Sequence, residues 1–307
     1  MMLLVLASPQ RMPGYKILSE RLPRHTRVAP EKRPVFRLTA RDGEIIRAVN
    51  DCRALQTAQV ELLFFSSPKP AYKRLEKLYH HEYLDRHFIT QVAHAPAASP
   101  IIYTLGKLGA AVLAATYGYT ADDFHFASRA VLDWRTLQHI LAINQVRVAI
   151  ERACRDQAIH LLQWQDELTF RAAPDTVWIK NSRGRQSKKP VLPDSYLLIK
   201  TPKGEARFFL EVDRGTEGIP QFREQMEVYQ EYILSGDYGR RYQSKSLRIL
   251  VVTTGEQRLH NLRKAIVQVG GGDYYWLTTR DQITPATILT APIWYKAAGG
   301  GLHAILG

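Results

Sequence analysis

Apolar and polar positions alternate with a helical period from Leu38 onward. Thr39 stands as an N-cap before Glu44, Ile45, Ile46 and Val49, which predict a short amphipathic helix ending near Asn50. Thr57 caps a second helix, Ala58 to Phe64. Ser66-Ser67-Pro68 introduce a third, in which Ala71, Leu75 and Leu78 fall at i, i+4 and i+7. The opposite face of that helix carries Lys69, Lys73 and His80, flanked by Arg74 and Lys77. Tyr83-Leu84 and Ile101-Ile102-Tyr103-Thr104-Leu105 then read as two short strands around the loop Gln91 to Pro100. Three short helices with a basic third, followed by such a strand pair, predict a winged helix-turn-helix over residues 36–117. On this expectation Lys69, Lys73, Arg74, Lys77 and His80 contact double-stranded DNA; the plainer alternative is a helical packing module with solvated lysines.

Gly106 to Ala115 predicts one more helix, and residues 118–135 read as a linker. A long helical period follows from Val131 to Gln157 through Leu137, Ile140, Leu141, Asn144, Val148 and Cys154, with His139 read as a packing residue near its apolar side. Strand-like runs come next at His160 to Phe170, Val191 to Lys200 and Ala206 to Asp213. The first two are separated by Lys180 to Lys189, a basic stretch expected to be a mobile loop in which Arg183 and Arg185 touch DNA. Phe222, Met226, Tyr229 and Ile233 form one stripe of a helix from Gln221 to Leu234. Leu247 to Thr253 is a near-continuous apolar strand, buried on both faces. A helix from Glu256 to Val269 and a strand at Tyr274-Tyr275-Trp276-Leu277 complete a second domain over residues 136–280. Residues 281–307 read as a C-terminal tail, frayed from Ala297 on, and residues 1–35, with five prolines after Ser8, as an irregular basic arm.

Composition sharpens this picture in two places. The 307 residues carry a net charge of +13, a balance that favours a polyanionic partner and nucleic acid before membrane. The two cysteines, Cys52 and Cys154, are too few and too far apart for a disulfide framework or a paired-ligand zinc site, and read as buried thiols. No stretch approaches the roughly 18 consecutive apolar residues of a membrane span. The expected location is the cytoplasm, on the nucleoid or a plasmid, and a homodimer is compatible with the reading.

The candidate chemistry sits at Pro193-Asp194 and at Phe208-Phe209-Leu210-Glu211-Val212-Asp213-Arg214-Gly215, where three carboxylates close two apolar strands. Side chains two apart on a strand share a face, so Glu211 and Asp213 are expected to converge on one ion with Asp194 from the neighbouring strand. Such a cage suits a hard cation, Mg²⁺ or Mn²⁺. Solvated carboxylates at strand ends are the alternative.

The order helix, three strands with acids at the second and third, helix, strand is similar to the PD-(D/E)XK nuclease-like core. That resemblance implies that Asp194 and Glu211 hold the metal, with Asp213 standing where the superfamily carries lysine and Lys200 or Arg214 as candidates to reach in. Gln225 and Tyr229 match the Gln-x-x-x-Tyr helix of its exonuclease-like branches, where those residues flank the active site, and Glu167 is a loose further match. Over roughly residues 36–280 the chain resembles the plasmid replication-relaxation family. The likeness runs through Leu38 to Asp42, Thr57 to Val60, Arg74-Leu75, Tyr103 to Gly106, His139 to Asn144, Pro193-Asp194 and Glu211 to Thr216. The resemblance implies an α/β multidomain protein, a winged helix-turn-helix followed by a restriction-endonuclease-like αβββαβ core. It also implies a DNA-binding protein of a plasmid or other mobile element, acting in replication or relaxation of supercoiled DNA. Two versions stay open: a metal-dependent nicking nuclease or relaxase, and a non-catalytic origin-binding or transcriptional regulator that keeps the fold as a scaffold.

Overall fold

The structure is a computed structural model that describes residues 22–88, 100–127, 133–157, 159–180 and 184–306. Its first group of elements is α1 (Ala40–Asp51), β1 (Leu55–Gln56), α2 (Thr57–Phe64), α3 (Pro68–His80), β2 (Leu84–Phe88), β3 (Ile101–Leu105) and α4 (Lys107–Tyr117). At the start of α1 the Asp42 amide donates to the Thr39 hydroxyl, while the Asp42 carboxylate accepts from the Thr39 amide at 2.6 Å, so two orphan donors are satisfied at once. Pro68 occupies the first turn of α3, where a missing N–H costs nothing. The three helices therefore lie where the periodicity places them. The strands pair antiparallel in the order β1-β3-β2. Two-residue β1 escapes a periodicity argument altogether, because it is too short to alternate. Gly106 marks the joint to α4: a Cβ there would lie 2.5 Å from the Glu82 carbonyl oxygen, so the close approach admits only glycine.

Residues 22–35 do not stand away from the molecule as an arm. Arg27 donates to the carbonyls of Tyr79 at 2.9 Å and Leu84 at 3.0 Å and pairs with Asp85, while Arg33 pairs with Glu82. These cations are spent on the fold, and the expectation of a free basic arm is corrected over this stretch; residues 1–21 lie outside the described residues. So does the wing loop from Gln91 to Ser99. The expected linker is likewise anchored in part: Asn50 donates to the Asp123 carbonyl at 2.8 Å and accepts from the His125 amide at 2.8 Å. Residues 128–132 are not described.

The second group comprises α5 (Trp134–Asp156), β4 (His160–Asp166), α6 (Glu167–Ala172), β5 (Asp175–Lys180), β6 (Gln186–Val191), β7 (Ser195–Thr201), β8 (Gly204–Val212), α7 (Ile219–Leu234), α8 (Asp237–Tyr242), β9 (Arg248–Thr253), α9 (Glu256–Gln268), β10 (Tyr275–Thr279), β11 (Trp294–Lys296) and β12 (Leu302–His303). A seven-stranded mixed sheet runs β12-β11-β10-β9-β8-β7-β4. Strands β4, β7 and β8 form an antiparallel meander, and β8, β9 and β10 are parallel. Helices α7 and α9 bury one face through Met226, Tyr229, Leu262 and Ile266, while α5 buries the other through Val146, Ala149 and Ile150. Cover on both faces explains why Ile249 to Val252 are all apolar.

Three expectations are corrected here. The first strand stops at Asp166, whose carboxylate accepts from the Thr169 amide at 3.1 Å and caps α6 in the place of further strand. Within the stretch Lys180 to Lys189, Lys180 and Gln186 to Lys189 are strand and not loop, Lys180 pairing with Gln186 and Val177 with Lys189 in a two-stranded ribbon, while residues 181–183 lie outside the described residues. The C-terminal residues are not a frayed tail: β11 and β12 extend the sheet, with Trp294 and Ile305 fully buried.

Helix α5 ties the two groups together. Asn144 donates to the carbonyls of Cys52 at 2.8 Å and Ala54 at 2.7 Å, and Arg147 donates to Asp51 at 2.9 Å. Val148 belongs to the N-terminal core while its neighbour Ala149 belongs to the sheet's core. One helix thus serves both halves, and a domain boundary at residue 136 does not separate their packing. Both cysteines are buried, and burial pushes the Cys52 thiol up to about 12 and Cys154 to about 11, leaving them inert.

Candidate functional site: the Asp194–Glu211 pocket and the lysine face of α3

Ser195 pairs with Leu210 in the antiparallel ladder, which sets Asp194 opposite Glu211 at the same end of β7 and β8. Asp194 accepts from the Val212 amide at 2.7 Å through one oxygen and meets His139 Nε2 at 2.8 Å through the other. Glu211 is buried; Gln225 donates to it at 3.0 Å and the Tyr229 hydroxyl donates to its second oxygen. Gln225 and Tyr229 stand one turn apart on α7, and the Gln225 amide also donates to the Tyr229 oxygen at 3.0 Å. The sequence pair Gln-x-x-x-Tyr therefore faces the acid, rather than one packing and the other standing in solvent.

The electrostatics of the pair follow from burial. Glu211 loses hydration and faces the charge of Asp194, and together these hold its carboxyl well above the usual range, against the opposing pull of the Tyr229 hydrogen bond. Burial and the adjoining acid push the Tyr229 hydroxyl up as well, so it stays a donor. For His139 burial works downward, yet the hydrogen bond and charge of Asp194 win and its pKa rises above 6.5. His139 thus belongs to the pocket and is more than a packing residue.

Asp213 does not join this group. Strand β8 ends at Val212, so the alternation that would aim Asp213 beside Glu211 has already lapsed. Its carboxylate instead takes two hydrogen bonds from Arg258, at 2.8 and 3.0 Å, one from the Thr253 hydroxyl at 2.5 Å and one from the Gly215 amide at 3.2 Å. Burial works upward, but those donors win and keep Asp213 ionised below its ordinary value. The expected three-carboxylate cage is corrected to two acids and a histidine. Among the described residues, no group of three His, Cys, Asp or Glu side chains is placed to hold a metal ion.

The acids lie in an open pocket of about 530 Å³ that Glu167, Arg171, Lys189 and Arg214 also line. Lys189 pairs with Glu224 at 2.6 Å, and Arg171 pairs with Glu167. Arg214 reaches the rim but donates to the Arg135 carbonyl at 2.8 Å and to Gln138, while Lys200 is exposed and does not line the pocket. Neither cation stands in for the absent lysine. Arg258 had no local signal in the sequence, since it meets Asp213 from 45 positions away.

The residues expected to contact DNA divide in the same way. Lys69 and Lys73 are exposed and Lys77 half-buried along one face of α3, and none of the three makes an ion pair among the described residues. Arg74 is turned inward onto Asp42, with one bond of 2.6 Å, and its guanidinium lies 4.3 Å from the Phe36 ring centre. His80 is fully buried; its Nδ1 accepts from the Val28 amide at 3.3 Å, and burial together with Arg86 and Arg27 pushes it down to about 4. A neutral, enclosed imidazole cannot touch a phosphate, so Arg74 and His80 are corrected to structural roles. Arg185 is exposed just before β6, and Arg183 lies outside the described residues.

Among the described residues no helix is long and apolar enough to cross a membrane. No curated protein and no solved structure matches the chain. The replication-relaxation profile matches residues 46–245, a span holding α3, Asp194, Glu211, Gln225 and Tyr229 and covering well over half the sequence. The chain belongs to the replication-relaxation family.

Proposed function

We propose that the protein binds double-stranded DNA of a plasmid or other mobile element and acts there in replication or in relaxation of supercoils. The observation that carries this reading is the row Lys69, Lys73 and Lys77, three cations a turn apart on α3 with no acidic partner among the described residues. The element order α1, β1, α2, α3, β2, β3 supports a winged helix-turn-helix, with α3 as the helix that enters the major groove. Each lysine at a phosphate releases a counterion, worth a slope of about 0.9 in log affinity against log salt. Fluorescence anisotropy of a duplex taken from the protein's own element, titrated over about 50 to 200 mM salt, tests this. Replacing all three lysines by alanine is expected to cut the salt slope by roughly 3. Salt-independent binding, or a triple variant that binds as wild type, refutes the docking element.

A second reading, metal-dependent nicking, is favoured by the apposition of Asp194 and Glu211. Helix α5, the meander β4-β7-β8, helix α7 and the parallel β9 run in the order of a PD-(D/E)XK-like core, which supports this reading. The pair offers oxygen ligands of the kind Mg²⁺ and Mn²⁺ take, and a cation beside it would offset the burial and the Asp194 charge that raise the pKa of Glu211. Held there, such an ion would polarise a phosphate and acidify bound water. Asp213, committed to Arg258, weighs the other way. A supercoiled-plasmid assay with Mg²⁺ and with Mn²⁺, beside Glu211→Ala, decides. Open circles formed only by wild type with metal establish a nickase. Binding without nicking under every metal condition leaves the scaffold version, an origin-binding factor or transcriptional regulator.

A further inference from the structure

The ribbon β5–β6 is inserted between the first two strands of the sheet's meander and pairs with neither. Its two faces differ. Toward the protein, Val177 and Val191 are buried and Ile179 packs on the core. Away from it, the register pairs Trp178 with Lys188 and Lys180 with Gln186, which places these four on one outward face. Trp178 is 60% exposed, an unusual cost for the largest apolar side chain when a position opposite Lys188 could hold any polar residue.

The neighbours of Trp178 identify what it would meet. Thr176 and Pro190 complete the outward face, so no second large apolar group makes the patch that a protein partner would need. Lys180 and Lys188 flank the ring and make no ion pair among the described residues. An isolated indole between two cations matches a polyanion that carries flat rings. Stacking requires a base with a free face, which duplex DNA hides except at ends and openings. Beyond Val191 the chain runs directly to Asp194, and Lys189, Pro190 and Leu192 line the acidic pocket.

We propose that the outward face of this ribbon is a stacking platform for an unpaired DNA strand, with Trp178 under a base and Lys180 and Lys188 on the flanking phosphates. A strand held there lies at the threshold of the Asp194–Glu211 pocket. The inference rests on the DNA-binding reading but assigns separate residues to separate forms of DNA, so the two fail separately.

The test is anisotropy of full-length protein with labelled oligo-dT and, in parallel, with a blunt duplex. Trp178→Ala is expected to weaken oligo-dT binding about tenfold, Trp178→Phe to keep most of it, and both to leave duplex affinity unchanged. Since the indole is outside the core, circular dichroism of the variants should match wild type. Wild type that fails to bind oligo-dT, or Trp178→Ala that binds it equally well, overturns the proposal, whereas absent duplex binding counts against the reading of α3. Unchanged oligonucleotide binding with lost self-association in sedimentation would make this face a protein contact and would also overturn it.

Discussion

Asp42 in the N-terminal module and Glu211 in the sheet region both have carboxylates enclosed by protein, and the fold treats them in opposite ways. Asp42 receives a guanidinium: Arg74 binds both its oxygens, and the Thr39 amide and hydroxyl add further donors. Burial works upward on Asp42, but those donors prevail and it stays charged. Glu211 is stripped of its hydration, receives only neutral donors, Tyr229 and Gln225, and sits beside another acid, so its pKa is raised well above the ordinary value. A counter-cation makes a buried acid architectural. Its absence leaves a raised pKa, a pattern that clusters at functional sites.

The comparison breaks most visibly if the counter-cation is removed from the architectural acid. Arg74→Ala strands the Asp42 charge and is expected to cost about 3 kcal/mol, read as a lower urea midpoint. On the other side, Tyr229→Phe takes one donor from Glu211 while leaving the packing ring, and should cost about 2 kcal/mol by the same titration. The two acids also predict opposite limbs of the stability–pH curve. Asp42, with its pKa lowered, contributes stability above 3.8 that is lost as pH falls through its folded value, so Arg74→Ala should flatten the acid limb. Glu211, with its pKa raised, contributes stability below 4.5 that is lost as pH rises through its folded value. Glu211→Gln should therefore flatten the decline of stability as pH rises above 4.5. His139, also raised, keeps its own share of that limb. Smallest of all, the triple alanine replacement of Lys69, Lys73 and Lys77 should shift the midpoint by no more than about 0.5 kcal/mol, although it is the change expected to hurt duplex binding most.

What the sequence made legible follows the range of the forces involved. Local signals placed α1 and α3, because a reciprocal cap and a proline in the first turn act within four residues. The strand ends that carry the acids put Asp194 and Glu211 on neighbouring strands, and the ladder sets them opposite each other; the step beyond is alternation from Glu211 to Asp213. It failed two residues further on, where the strand had ended and Asp213 turned to Arg258 on α9. Arg74 and His80 carry the same charge pattern as the lysines in a helical projection, and only the packing of residues 22–42 against α3 shows that these two face inward. Gly/Ala-rich composition suggested fraying from Ala297 on, yet pairing of β12 with β11 and the buried Ile305 hold that stretch against the sheet.

The position of β8 has a consequence for synthesis. Its partner β7 precedes it and emerges from the ribosome first, but the other edge stays open until β9, which ends at Thr253, has followed. At about 5–20 residues per second the apolar edge Phe208-Phe209-Leu210 is bare for roughly two to eight seconds. By then the elements between residues 40 and 117 have long been available to fold on their own short-range contacts. Nascent chains are therefore most prone to stick to one another within this interval. Codons that slow translation between residues 213 and 247 should lower the yield of dispersed protein without altering a single side chain.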